Sequence, residues 1–97
     1  MAFKVLITDS AQNDLREILE FVAQDDPRAA ERLGEKLIVR AMSLANLPER
    51  YAFHDARCGI RKMPMNPYLL FYTFDHVAGV VNILHFWHGA RLSPEFP

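Results

Sequence analysis

Seven side chains in the second half of the chain have the chemistry of a phosphate-handling site: Arg61, Lys62, Tyr68, Tyr72, His85, His88 and Arg91. Attack by an RNA 2′-hydroxyl needs a base, an acid for the leaving oxygen and a cation for the phosphorane. Histidine with arginine can supply all three. Each also has a plainer role. A histidine at a strand end is commonly a hydrogen-bonded structural residue, and tyrosines within an apolar strand commonly belong to the core. Other chemistries are poorly served. Four scattered glycines make no phosphate loop, and nothing around Ser10, Ser43, Cys58 or Ser93 reads as a nucleophile motif. His85-x-x-His88 is the nearest approach to a metal pair. Positions three apart on a strand point to opposite faces, so no metal and no cofactor is expected.

These residues need a scaffold, and the stretch from Pro67 to Arg91 supplies its centre. Tyr68 to Phe74 is an uncharged run of aromatic, aliphatic and β-branched residues that suits a central strand. Asp75 to Gly79 is the turn, with Gly79 free to take positive φ, and Val80 to Trp87 returns as the second strand. Its end is ring-rich and polar: His85, Phe86, Trp87, His88, then Arg91. A tryptophan beside an arginine at a strand end is a common anchor pair for a protein contact, which makes Trp87, His88 and Arg91 a candidate target-binding set.

Upstream, Phe3, Val5 and Ile7 alternate with Lys4, Leu6 and Thr8, the pattern of a first strand. Asp9 or Ser10 is expected to cap a helix carrying Ala11, Leu15, Ile18, Leu19 and Val22 on one stripe and ending near Gln24. Asp26-Pro27 restarts the chain as a second helix to about Ala45, buried along Ala30, Leu33, Leu37, Ala41 and Leu44. The short connection makes the two helices an antiparallel hairpin, and Gly34 within the stripe implies a close neighbour. Residues 47–59 read as a loop pinned by Tyr51 and Phe53, with Cys58 as a small buried filler. Ile60 to Met65 is a short strand whose Pro64 confines it to an edge or bulge. The fold class expected is α+β, a two-layer β-α-α-β-β-β arrangement. An antiparallel sheet of three to four strands would carry the helical hairpin on one face.

Composition narrows the function classes. The chain has 97 residues, 51% of them hydrophobic and 24% charged, which fits one domain, 1–97. A formal net charge of −1 argues against a protein that lives by gripping phosphate backbones. One cysteine excludes an internal disulfide and suits a reducing compartment, and no membrane segment is expected, so the chain is placed in the cytoplasm.

Taken together, Ala11-x-x-Asp14-Leu15-x-x-Ile18, the helical hairpin, and the ending carried by Tyr68, Phe71, Tyr72, Gly79, Val81, Ile83, Leu84, His88, Gly89 and Arg91 resemble the RelE/ParE family of toxins from bacterial type II toxin–antitoxin operons. The resemblance covers essentially the whole chain. It implies a growth-inhibiting toxin neutralised by a cognate antitoxin in a hetero-oligomer, with Arg61, Tyr68 and Trp87 as antitoxin-binding residues. Two activities are implied by different branches. ParE-like members bind and block DNA gyrase, whereas RelE-like members are ribosome-dependent endoribonucleases acting on messenger RNA. The slightly acidic balance and the terminal His88-Gly89-x-Arg91 favour the first. The nuclease alternative would use Arg61, His85, His88 and Arg91, and a further alternative is a non-toxic chain that persists as an antitoxin-binding remnant.

Overall fold

The computed structural model describes residues 2–91 together with Pro94 and Phe96. The expectation for Ser93 lies outside the described residues. Strand β1 (Lys4–Ile7) leads into helix α1 (Asp9–Asp25), which turns directly into helix α2 (Pro27–Met42). After two 3-10 turns come β2 (Phe53–Asp55), β3 (Ile60–Met65), β4 (Tyr68–Asp75) and β5 (Val80–His88). The sheet has five strands in the order β1-β5-β4-β3-β2. β1 runs parallel to β5, and every other pairing is antiparallel. The architecture is therefore the expected α+β sandwich with one strand more. The added strand, β2, has three residues and pairs with β3 only at Arg61 and Ile60, too short to leave a period in the sequence.

The helices form where patterning and capping agree. Thr8, rather than Asp9 or Ser10, caps α1: its hydroxyl accepts from the Ala11 amide at 3.2 Å while donating to the Ile83 carbonyl at 2.7 Å. One side chain thus satisfies the helix start and ties it to β5, which a cap chosen on local sequence does not reveal. Asp26 caps α2 as expected, accepting from the Arg28 and Ala29 amides at 3.1 Å, with Pro27 in the first helical position. α2 ends at Met42, and Leu44 is buried from the 3-10 turn that follows. A Cβ at Gly34 would stand 3.0 Å from Cδ1 of Leu19, so the close neighbour is the other helix.

Ala11, Leu37, Ala41 and Leu44 close over Met63, Leu70, Tyr72, Val81, Ile83 and Phe86 to form the core between helices and sheet. Tyr51 packs against this core, whereas Phe53 is largely exposed and Cys58 is exposed. The loop is held by its backbone carbonyls as well. Arg61 donates to those of Glu49 at 3.0 Å and Tyr51 at 2.6 Å, and the Tyr72 hydroxyl donates to that of Pro48. With its guanidinium 3.9 Å from the centre of the Phe53 ring, Arg61 covers that ring, so Phe53 sits on the arginine and not in the core.

Leu37 is 1% exposed at the centre of the helix–sheet interface. Leu37→Ala is expected to lower stability by about 2–5 kcal/mol through lost transfer energy and the cavity left behind. A urea melt followed by circular dichroism measures it, and a loss well under ~1 kcal/mol would mean that the helices are not packed on the sheet as described.

Candidate functional site at the end of the central hairpin

β5 carries most of the candidate residues, and it is irregular where they begin. Tyr72 pairs with Ile83 and Phe71 with His85, so Leu84 is an extra residue opposite no partner. Such a bulge resets the alternation of a strand. Val81 and Ile83 face the helices before it, and Phe86 does so after it. His88, two residues beyond Phe86, falls on the helix side, while His85 and Trp87 pair with Phe71 and Leu69 on the other. The bulge lies before His85 and not between the histidines, so the expected opposition of His85 and His88 holds.

His85 is engaged with helix α1. β1 covers the edge of β5 only from Val80 to Ile83. Past that point α1 runs along the bare edge, and Asp14 reaches across to it. The Nδ1 nitrogen of His85 donates to the Asp14 carboxylate at 2.6 Å, with both side chains under a fifth exposed. The Phe86 backbone amide lies close to the same carboxylate. Burial nevertheless pushes the Asp14 carboxyl above its ordinary value of 3.8, against the opposing pull of the His85 hydrogen bond and charge and of the Phe86 amide; the Glu17 charge adds slightly to the rise. On the outer face, His85 and Trp87 meet edge to face, their ring centres 5.6 Å apart. Phe96 is 5.6 Å from His85 and 5.5 Å from Phe71, which His54 also covers at 4.8 Å.

His88, Tyr68 and Arg91 gather on the helix side. The rings of Tyr68 and His88 meet edge to face at 5.5 Å, and Nδ1 of His88 accepts the Ala90 amide at 3.1 Å. The Gly89 amide donates to the Pro67 carbonyl at 2.8 Å, and a Cβ at Gly89 would lie 3.1 Å from that same oxygen. This contact gives the His88-Gly89-x-Arg91 ending its physical basis: glycine lets the chain fold back tightly on the start of β4, which brings Arg91 beside the strand end. The Arg91 guanidinium then sits 5.5 Å from the centre of the Trp87 ring. A cleft of about 380 Å³ opens here. Tyr68, Phe86, His88 and Arg91 form one wall, and Asp14, Glu17, Ile18 and Phe21 of α1 form the other.

The expected target-binding residues Trp87, His88 and Arg91 are thus brought together, with Trp87 half-buried. Of the expected antitoxin-binding set, Tyr68 and Trp87 share this end of the sheet. Arg61 does not: it pairs with Tyr72, four rungs of the ladder from the Tyr68–His88 pair and one strand further out, roughly 13 Å along the strand direction alone. Its side chain is committed to the 47–52 loop, and its Nε is buried with no hydrogen-bond partner among the described residues. Tyr72 is fully buried, and burial pushes its hydroxyl up to about 12. Lys62 is exposed on β3 and pairs with Phe71, as His85 does from β5. The Asp14–His85 pair and Phe21 escaped the sequence reading. The only trace of the former is Asp14 within Ala11-x-x-Asp14-Leu15-x-x-Ile18, and an aromatic outside the buried stripe of α1 was the sign of the latter.

Because the folded chain holds the Asp14 proton to a higher pH than the unfolded chain, it binds more protons in the interval above 3.8. The stability from this group is complete below that value and lost as pH rises through the elevated one. Asp14→Asn keeps an oxygen acceptor and does not titrate. Subtracting variant from wild-type urea midpoints at a series of pH values should therefore give a difference that declines from acid towards neutral pH, and a flat difference would show that Asp14 is not buried as described.

Residues 5–93 match the family described as ParE toxin of type II toxin-antitoxin system, parDE. Two toxins of Caulobacter vibrioides are similar over almost their entire length. The one named Toxin RelE2 is 35% identical over 91 residues, covering 92% of this chain and 98% of the relative. Toxin RelE1 is 27% identical over 89 residues, covering 92% and 96%. Among solved structures, a chain of the chromosomal ParDE system from P. aeruginosa shares the fold with a TM-score of 0.76 at 15% identity, covering 90% of this chain and 96% of that one. A chain of the toxin–antitoxin complex RelBE2 from Mycobacterium tuberculosis does so with a TM-score of 0.68 at 22% identity, covering 94% and 95%. Matched by sequence from β1 through the end of β5, this chain belongs to the ParE toxin family of type II toxin–antitoxin systems.

Proposed function

We propose that this toxin arrests growth by binding DNA gyrase through the surface around Trp87, His88 and Arg91, and that a cognate antitoxin neutralises it by tight binding. The observation that carries this reading is the dispersal of the groups that RNA cleavage would need. His85 faces away from His88 with Nδ1 held by Asp14, Arg61 is tied to the carbonyls of Glu49 and Tyr51, and Tyr72 is sealed in the core. A net charge of −1 adds no positive field to concentrate RNA. A protein contact asks for less: an aromatic side chain, an arginine stacked on it and a strand end that holds both.

Ribosome-dependent cleavage of messenger RNA is the second reading. It is favoured by the gathering of Tyr68, His88 and Arg91 on one wall of the cleft, and by the names of the two Caulobacter relatives. In that case His88 would move the proton and Arg91 would hold the phosphate.

The two readings separate in purified systems. The gyrase reading expects inhibition of supercoiling, weakened at least about tenfold by Arg91→Ala as an interface anchor is lost, with ribosome-bound messenger left intact. Position-specific cleavage in the ribosomal A site, abolished by His88→Ala, would transfer the protein to the nuclease branch. Full supercoiling with neither effect, and no arrest of growth on induction, would leave an antitoxin-binding remnant.

A further inference from the structure

Helix α2 carries a row of like charges that the site described above does not use. Arg28, Arg32, Lys36 and Arg40 follow one another at intervals of four residues, which sets them one above the next along a single flank. Arg40 donates to the Pro64 carbonyl at 3.4 Å, so this flank faces β3. Glu31 and Glu35 form a neighbouring row towards α1, where Glu31 lines a groove with Leu15 and Leu19. A solvated helix usually mixes its signs at this spacing, because like charges four residues apart destabilise it. Here the cations repel one another in succession. Arg28, Arg32 and Lys36 are exposed, and none of them forms a salt bridge among the described residues. The pairing of the helices sets the height of the row. Gly34 lies against Leu19, next in sequence to Ile18 of the cleft wall, so Arg32 and Lys36 stand at the same end of the molecule as His88 and Arg91.

We propose that the α2 row contacts the phosphate backbone of the duplex DNA that gyrase holds, while Trp87, His88 and Arg91 engage gyrase itself. At about 1.5 Å per residue, Arg28 to Arg40 is a row about 18 Å long, level with about five phosphates of one strand. Backbone contacts carry no sequence information, so they anchor the toxin on whatever duplex its target holds. The net charge of −1 decides how the row works. A chain with no excess of positive charge does not draw DNA out of solution, so the row acts once gyrase has brought a duplex alongside it. Arg40 is engaged with Pro64, which leaves Arg28, Arg32 and Lys36 to displace counterions. The assignment of the row to gyrase-held DNA rests on the gyrase reading above.

The test measures the affinity of the full-length toxin for purified gyrase, with and without a linear duplex, over salt from about 50 to about 200 mM. The duplex should tighten binding, and the gain should fade as salt rises. Three neutralised phosphates give the added part of the affinity a slope of about −2.7 in log K against log salt. Arg32→Gln combined with Lys36→Gln keeps good helix formers and leaves one free cation, so that slope should shrink to about −0.9. Relief of like-charge repulsion should leave the melting temperature unchanged or slightly raised, which separates the effect from misfolding. Arg57→Gln, exposed just after β2, should shift the affinity by less than about twofold. A duplex that adds nothing to wild-type binding, or a gain that the double variant keeps, would overturn the assignment and leave the gyrase reading intact. Weaker binding of the double variant to DNA-free gyrase would mean that the row meets an acidic protein surface. Reduced cleavage of ribosome-bound messenger by that variant would mean that it meets RNA. Either outcome overturns the assignment to DNA. If the wild-type toxin binds gyrase under no condition, the gyrase reading itself fails and the assignment falls with it.

Discussion

One unpaired residue in β5 determines what this sheet can present. β5 lies between β1 and β4 and feeds side chains both to the core and to the surface near Arg91. With Leu84 bulged out, Val81 and Ile83 point at the helices before the irregularity and Phe86 points there after it. A regular strand would have aimed His85 and Trp87 at the helices and Phe86 away from them. The bulge thus supplies a large apolar ring to the core, sends Trp87 to the outer face and leaves His88 at the rim of the cleft. Bulges are a common way to re-aim a side chain near a functional surface.

The same strand outruns its neighbour. β1 covers four residues of a nine-residue partner, and the remaining edge carries amide groups that need acceptors. Asp14 binds the His85 ring beside the Phe86 amide, at the expense of burying a carboxylate, which is why its proton is held more tightly than usual. The hydroxyl of Thr8 extends the attachment one turn earlier. These long-range bonds hold the start of α1 against β5, and the α1 wall of the cleft is positioned by them.

Towards the other edge of the sheet, side chains that look reactive in isolation are structural. Arg61 secures the 47–52 loop alongside the packing of Tyr51 and Pro48, binding two carbonyls and covering Phe53. Tyr72 spends its hydroxyl on Pro48. With these two committed, the ionisable surface left near the strand end is compact: His88, Arg91, Glu17 and the partly buried Asp14. That suits the protein contact proposed above better than bond cleavage.

What the chain states by itself is what depends on near neighbours. Alternation in Phe3 to Ile7, the stripes of the two helices, the Asp26-Pro27 restart and the positive φ at Gly79 are local preferences, and the structure keeps them all. The ending His88-Gly89-x-Arg91, together with Ala11-x-x-Asp14-Leu15-x-x-Ile18 and the helical hairpin, carries the resemblance to the family that matches residues 5–93. Tertiary structure decided the rest. Nothing near Leu84 says that it lacks a partner, because register is settled by pairing with β4 and by the burial of Phe86. The three residues of β2 become a strand only because β3 lies beside them, and Arg61 reads as a surface cation until the loop folds over it. Asp14 and His85 stand 71 positions apart, so no local pattern can join them; the meeting is made by the length of β1, which stops short and leaves α1 an edge to close.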